Sequence, residues 1–264
     1  AAILASTLFL LSSYNSARIT ASRGQDWFKV PALDSSMNAP LRDVAENTLG
    51  LPYPPPSLRL VVLKSEHRVD LYSGSRLVKS YLAAFGFDVP MEKEISGDYR
   101  TPEGVYCFVT RSDIGKTKFY GFMGINYPNV RDALRGLQAK RITAATAEEV
   151  VAAVARRATW HPWVSRNDSG LWYTGLGGEV GFHGGNACFS DGDNVWGKNW
   201  TLGCIALADE DIDELRDVAG KRWSSVPILI LKTGELIAGG GRYGDAFADF
   251  LRHPDPYVDC GTLA

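Results

Sequence analysis

The sequence predicts a mainly β domain with peripheral helices, on three observations. Between residues 58 and 110, short apolar runs rich in Val, Leu and aromatic residues alternate with tight polar or glycine turns, the texture of a strand meander. A later run, VPILIL at 226–231, has the same texture. Helix-forming composition of any length is confined to two stretches, 131–157 and 208–218.

Taken in order, residues 1–22 open on an uncharged apolar run, AAILASTLFLL, followed by small and polar residues. This predicts a signal-peptide-like or membrane-anchor segment with a truncated start, and hence export to the periplasm or cell envelope. Residues 23–57 end in the proline cluster PYPPP and are expected to form an extended linker or wrapping arm. LRLVVL at 58–63 and RVDLY at 68–72 read as strands around a KSEH turn, and LVKSYLAAF at 77–85 as a third. A turn-rich GDYRTPEG loop at 97–104 precedes a strand at 105–110, and residues 119–125 form another.

Residues 144–155 read as a helix with Thr146 as N-cap and Glu149 as its capping-box partner. Residues 179–183 return to strand. Residues 208–218 form an amphipathic helix with acids concentrated early, and Gly220 suits its C-terminal cap. The domain is expected to span 58–232, with an insertion at 131–172 and a C-terminal tail at 233–264.

Composition narrows the function. In 264 residues, 45% hydrophobic and 22% charged content is that of an ordinary globular protein. A formal charge of -2 argues against nucleic-acid binding, because no basic excess exists to displace counterions. Four cysteines (Cys107, Cys188, Cys204 and Cys260) contain no C-x-x-C pair, so neither a disulfide scaffold nor a structural zinc site is expected. Cys107 reads as a small buried strand residue. Cys188 reads as a loop thiol, with a disulfide to Cys204 as the alternative. His161 reads as a loop cap, and His67 and His253 as surface residues. Trp160, Trp163 and Trp172 read as core or lid packing, with stacking on a glycan as the alternative. The acids from Asp209 to Asp213 read as a helix N-terminal turn that needs no metal ion.

The candidate chemistry lies between 180 and 207. A strand-like VGFHGG carries His183 with glycines after it, and WTLGCIAL carries Cys204 with a glycine before it. A cysteine attacks through its thiolate, so it needs a base or a field that lowers its pKa, and an imidazole supplies both. Glycine beside the sulfur admits a substrate backbone closely, and amide N–H groups there can hold an oxyanion. Cys204 also lies shortly before the acidic helix, whose N-terminal N–H groups favour an anion.

These two motifs, with the VLKS and VDLY stretches at 62–65 and 69–72, the GDYRTPEG loop and the INYPN segment at 125–129 in matching order, resemble the L,D-transpeptidase catalytic domain (YkuD-type). The resemblance covers about residues 58–232. It implies a β-sandwich or barrel-like catalytic domain acting on peptidoglycan stem peptides without a cofactor or metal. Cys204 would be the nucleophile and His183 the general base. Gly203 and the amide of Cys204 would serve the oxyanion, and Gly184 or Gly185 would orient the His183 ring. Thr201 and Trp200 would line the substrate site. The acyl group would pass to an amine of a neighbouring stem or of a cell-wall-attached protein. Ala206 stands where most members carry arginine, which resembles the YafK-like subgroup. That leaves an L,D-peptidase and a catalytically silent peptidoglycan-binding domain as alternatives.

Overall fold

Among the described residues, eight strands form one sheet whose two ends meet. In a computed structural model, the described residues are 39–88, 91–115, 119–155, 174–185, 199–233 and 250. The strands are β1 (Leu58–Leu63), β2 (Arg68–Ser73), β3 (Arg76–Leu82), β4 (Gly104–Ser112), β5 (Tyr120–Ile125), β6 (Gly181–Gly184), β7 (Ile205–Ala206) and β8 (Pro227–Leu231). Their order is β3-β2-β1-β8-β4-β5-β6-β7. Pairings are antiparallel except β1 with β8 and β6 with β7.

β4 joins the two halves. Its start pairs with β8 and its end with β5, across a register shift between Phe108 and Thr110. Such an irregularity bends a strand and lets a sheet curl. The chain leaving β3 then reaches the far edge: Ala84 and Ala206 exchange both backbone hydrogen bonds, at 2.9 and 2.8 Å, and Gly86 bridges Thr201. The sheet therefore closes on itself, which gives the barrel-like architecture and removes an open edge.

Inside lie Leu60, Val62, Tyr81, Phe85, Phe108, Met123, Ile125, Phe182 and Ile205, with Phe108 edge-on to Phe182 at 5.3 Å. Alternation puts every second strand residue inward, which is why the β-branched and aromatic runs form strands here. β7 is too short to show such a pattern, and the sequence does not predict it as a strand.

Among the described residues, the helices beside the sheet are α1 (Leu41–Asp43, continuing as a wider turn to Thr48), α2 (Val130–Gln138), α3 (Ala144–Ala155) and α4 (Asp209–Ala219), the last followed by a 3-10 helix at Gly220–Ser225. Three of these details differ from the sequence expectations. First, within the arm where extended chain is expected, Leu41–Thr48 is helical and buries Leu41 and Ala45 in the main core. Second, α3 is capped by Thr143, not Thr146: the Thr143 hydroxyl accepts from the Thr146 N–H at 3.2 Å. Third, His67 is buried, not a surface residue. Its Nδ1 lies 3.3 Å from the Ala83 carbonyl, its ring meets Phe85, and burial lowers its pKa. Cys107 lies buried in β4. The signal-like segment, Cys188, Cys260, His161, His253, Trp160, Trp163 and Trp172 lie outside the described residues. Among the described residues, no helix is long and apolar enough to cross a membrane.

α4 is tied down by its acids. Glu214 accepts from the β3 Lys79 ammonium at 2.6 Å and from the backbone N–H of Leu41. Asp217 accepts from Tyr53 at 2.7 Å and Asp213 from Tyr120 at 2.6 Å. Since Lys79 is buried, removing its partner leaves an uncompensated charge. Glu214→Leu should lower unfolding stability in urea by about 3 kcal/mol, and adding Lys79→Met should restore about half of that loss.

Asp211 on the same helix has its pKa raised to about 6, first by burial and also by Glu214 and Glu210, against the pull of Lys79. Between its ordinary value of 3.8 and about 6, the folded chain holds a proton that the unfolded chain has released. The group therefore favours the folded state less as pH rises through this window. Asp211→Asn should gain stability relative to the parent across that window and stay level above it, as read by urea midpoints.

Candidate active site

The closure seam also carries His183 and the segment that follows Cys204. β6 and β7 are parallel neighbours, with His183 opposite Ala206 and Phe182 opposite Ile205. Side chains alternate along a strand, so Phe182 points into the core and His183 away from it. Cys204 precedes Ala206 by two residues and shares the His183 face. Strand spacing and rise put their Cα atoms about 8 Å apart, a diagonal that an imidazole and a thiol can bridge.

His183 is only 1% exposed and its ring is held on three sides. Phe119 stacks on it at 4.1 Å and 16°, and Trp200 meets it edge-on at 5.6 Å. Its Nδ1 lies 2.8 Å from the Gly184 carbonyl oxygen. A carbonyl can only accept, so Nδ1 carries a proton, and in the neutral ring the lone pair then lies on Nε2. That is the tautomer a proton acceptor needs. Of the two glycines expected to orient the ring, it is Gly184 whose carbonyl lies against it. Gly185 instead donates its N–H to Asp209 Oδ1 at 2.7 Å.

The cysteine loop is organised by Thr201, whose buried hydroxyl donates to the Cys204 carbonyl at 2.7 Å and accepts from the Gly203 N–H at 3.1 Å. Two expectations change as a result. The Gly203 N–H is committed to Thr201, so it is not offered to an oxyanion. Thr201 shapes the loop from within and does not present its hydroxyl to a substrate. Gly203 itself is required by space: its φ is +135°, and a Cβ there would lie 2.7 Å from the Arg100 carbonyl oxygen.

Arg100 belongs to the GDYRTPEG loop, which forms the opposite wall. Asp98 at its centre accepts from Lys93 Nζ and from the N–H groups of Glu94, Ile95 and Arg100. Burial raises its pKa, but these donors outweigh that and hold it below the ordinary value. Lys64, fully buried, ties the loop to β1 through the carbonyls of Met91 and Thr101 and the carboxylate of Glu103. Gly86 packs against the Tyr99 carbonyl and donates to Thr101 Oγ1. The rim so formed exposes Phe87, Tyr99 and Leu202, the last at 65%, with Phe87 edge-on to Tyr99 at 6.1 Å.

The Cys204 thiol is half-buried and donates weakly to the Glu179 carbonyl at 3.5 Å. Glu179 has φ +54°, uncommon for a residue with a side chain. Asn199 bonds the Phe85 N–H through its side chain at 2.9 Å, fixing the start of the cysteine loop to the seam. Sequence reading misses Asp209, Glu179, Asn199 and Phe119, each distant in sequence from the residue it serves. Between Cys204 and α4 the chain inserts β7, so the cysteine is not at the helix start. Among the described residues, no group of three or more His, Cys, Asp or Glu is placed to hold a metal ion.

Comparison with known proteins gives the family of the chain. The model of the L,D-transpeptidase catalytic domain, YkuD, matches residues 57–228. Among solved structures, the helical cell shape determining protein Pgp2 from Campylobacter jejuni is similar at 19% identity and a TM-score of 0.43, over 78% of this chain and 60% of that one. Bd1075 from Bdellovibrio bacteriovorus aligns at 17% identity and 0.41, over 69% and 50%. An L,D-transpeptidase from Xylanimonas cellulosilytica aligns at 12% and 0.37, over 71% and 68%. The chain spans about half the length of the Bdellovibrio protein. No curated protein matches it. With the family match covering well over half of its residues, the chain belongs to the L,D-transpeptidase catalytic-domain (YkuD) family.

Proposed function

We propose that the chain is an exported cysteine acyltransferase that remodels peptidoglycan through a thioester on Cys204. The observation that carries this reading is the 2.8 Å contact between His183 Nδ1 and the Gly184 carbonyl oxygen, on the strand that pairs with the one following the cysteine. In the first half-reaction the Cys204 sulfur bonds the stem-peptide carbonyl carbon while His183 Nε2 takes the thiol proton. The C–N bond to the terminal D-alanine then breaks, and that proton passes to the departing amine. In the second, an amine attacks the thioester, the carbon–sulfur bond breaks and the thiol is restored. The exposed rim of Phe87, Tyr99 and Leu202 offers apolar area for the substrate beside the thiol.

One observation favours water as a second acceptor. Ala206 is fully buried between Ala84 and β6 and supplies no cation to hold a carboxylate of an acceptor stem, where the family resemblance leads one to expect arginine. Incubation with purified muropeptides separates the two outcomes. Accumulation of cross-linked dimers means transfer, and trimmed stems without dimers mean L,D-peptidase activity. Binding to sacculi with neither product, unaffected by Cys204→Ala, would leave only a peptidoglycan-binding module.

Cys204→Ala should abolish turnover, and a carbapenem should add its mass to the parent but not to this variant, as read by intact-protein mass spectrometry. Thr201→Val should lower kcat about tenfold, because it frees both the Gly203 N–H and the Cys204 carbonyl. Thr201→Ser should stay near the parent.

A further inference from the structure

His183 is connected to more than one carbonyl oxygen. We infer that Asp209, the first residue of α4, is a positioning residue for His183 that acts through the Gly184–Gly185 peptide group. The inference rests on the reading of His183 as the general base. The Gly184 carbonyl and the Gly185 N–H are the two polar ends of one planar amide. The carbonyl accepts from His183 Nδ1 at 2.8 Å, and the N–H donates to Asp209 Oδ1 at 2.7 Å. A continuous run therefore leads from ring to carboxylate with one peptide unit between them.

The physics of that run favours the imidazolium. A carboxylate drawing on an amide N–H shifts electron density toward the amide oxygen, so each hydrogen bond strengthens the other. The N–H···O⁻ bond is of the short, charge-assisted kind. The Gly184 oxygen then holds Nδ1–H more firmly and better stabilises the charge that appears when Nε2 takes the Cys204 proton. In a Ser-His-Asp triad the carboxylate does this by touching the ring directly. Here the peptide group carries the effect, and no proton reaches Asp209.

A second observation points the same way. A Cβ on Gly184 would lie 2.3 Å from Asp209 Oδ1 and 3.1 Å from Tyr120 Cβ. The glycine leaves the space that the carboxylate fills, so Gly184 and Asp209 are matched. One turn further along α4, Asp213 accepts from the Tyr120 hydroxyl, which fixes the helix start against β5. The plainer view, that Asp209 is an ordinary acid favoured by the helix dipole, gives no reason for its side chain to meet the peptide after His183.

The test uses the full chain as parent, Asp209→Asn, Asp209→Ala and His183→Gln. Two quantities are read: the rate at which iodoacetamide alkylates Cys204 at neutral pH, by peptide mass mapping, and the His183 Nδ1–H proton resonance. Asparagine keeps an oxygen where Oδ1 stands but removes its charge. Asp209→Asn should therefore fold like the parent, move the Nδ1–H resonance upfield and slow alkylation about fivefold. Asp209→Ala should slow it about tenfold or more. Parent-like rates with an unmoved resonance would overturn the inference. A slowed rate with an unmoved resonance would overturn it as well, since lost packing alone explains that. If Asp209→Ala does not fold, the asparagine variant decides. His183→Gln at the parent rate would instead sink the general-base reading, whatever the Asp209 variants do.

Discussion

The Lys79–Glu214 pair is the constraint on which the arrangement of this domain rests. Lys79 is a strand residue with almost no exposure, and a buried ammonium is tolerable only with a close anion. Glu214 supplies it, and in doing so fixes α4 against β3 at one chosen height and rotation. The same carboxylate takes the Leu41 N–H, so the arm before the first strand is set by the same residue. A helix fixed at that point brings its other acids to different targets. Asp217 meets Tyr53, Asp213 meets Tyr120, and Asp209 meets the loop after His183. The acids at 209, 213 and 217 recur every four residues and so lie along one side of the helix.

The wall facing the cysteine is built by a comparable economy of buried charge. Lys64 draws the GDYRTPEG loop onto β1, and Asp98 collects the N–H groups that a tight loop would otherwise leave unsatisfied. Rigid packing of that loop is what lets the Arg100 carbonyl press against Gly203. Rigid walls on both sides hold the thiol, so its position does not depend on its own short loop alone.

Much of this was legible in the sequence because it is local. LRLVVL at 58–63 carries its own strand signal and β1 begins and ends where expected. The helix at 209–219, with its early acids and Gly220, also follows from composition and capping. The KSEH turn was legible as a turn, but the burial of His67 was not, since it depends on Ala83 and Phe85 from the next strand. In the site, the chemistry-bearing pair stands out by residue type and glycine context. The fates of individual N–H groups do not: the Gly203 and Gly185 amides find Thr201 and Asp209 only once the loops are folded. Asp209 is hidden for another reason, because an acid at a helix start already has a sufficient local explanation.

The closure of the sheet has a bearing on how an extended peptide can be read. Proteins that bind such ligands often add them as an extra strand on an exposed edge, where main-chain pairing supplies much of the affinity. At the cysteine that route is shut, because β7 is flanked by β6 on one side and by Ala84 on the other. Among the described residues, a stem peptide of the proposed reaction would find no vacant ladder to join at this strand. Recognition of the proposed substrate would then come from side chains and loop dipoles acting on individual groups, which suits a branched peptide containing D-residues better than a continuous L-peptide, whose regular backbone a strand edge is made to grip.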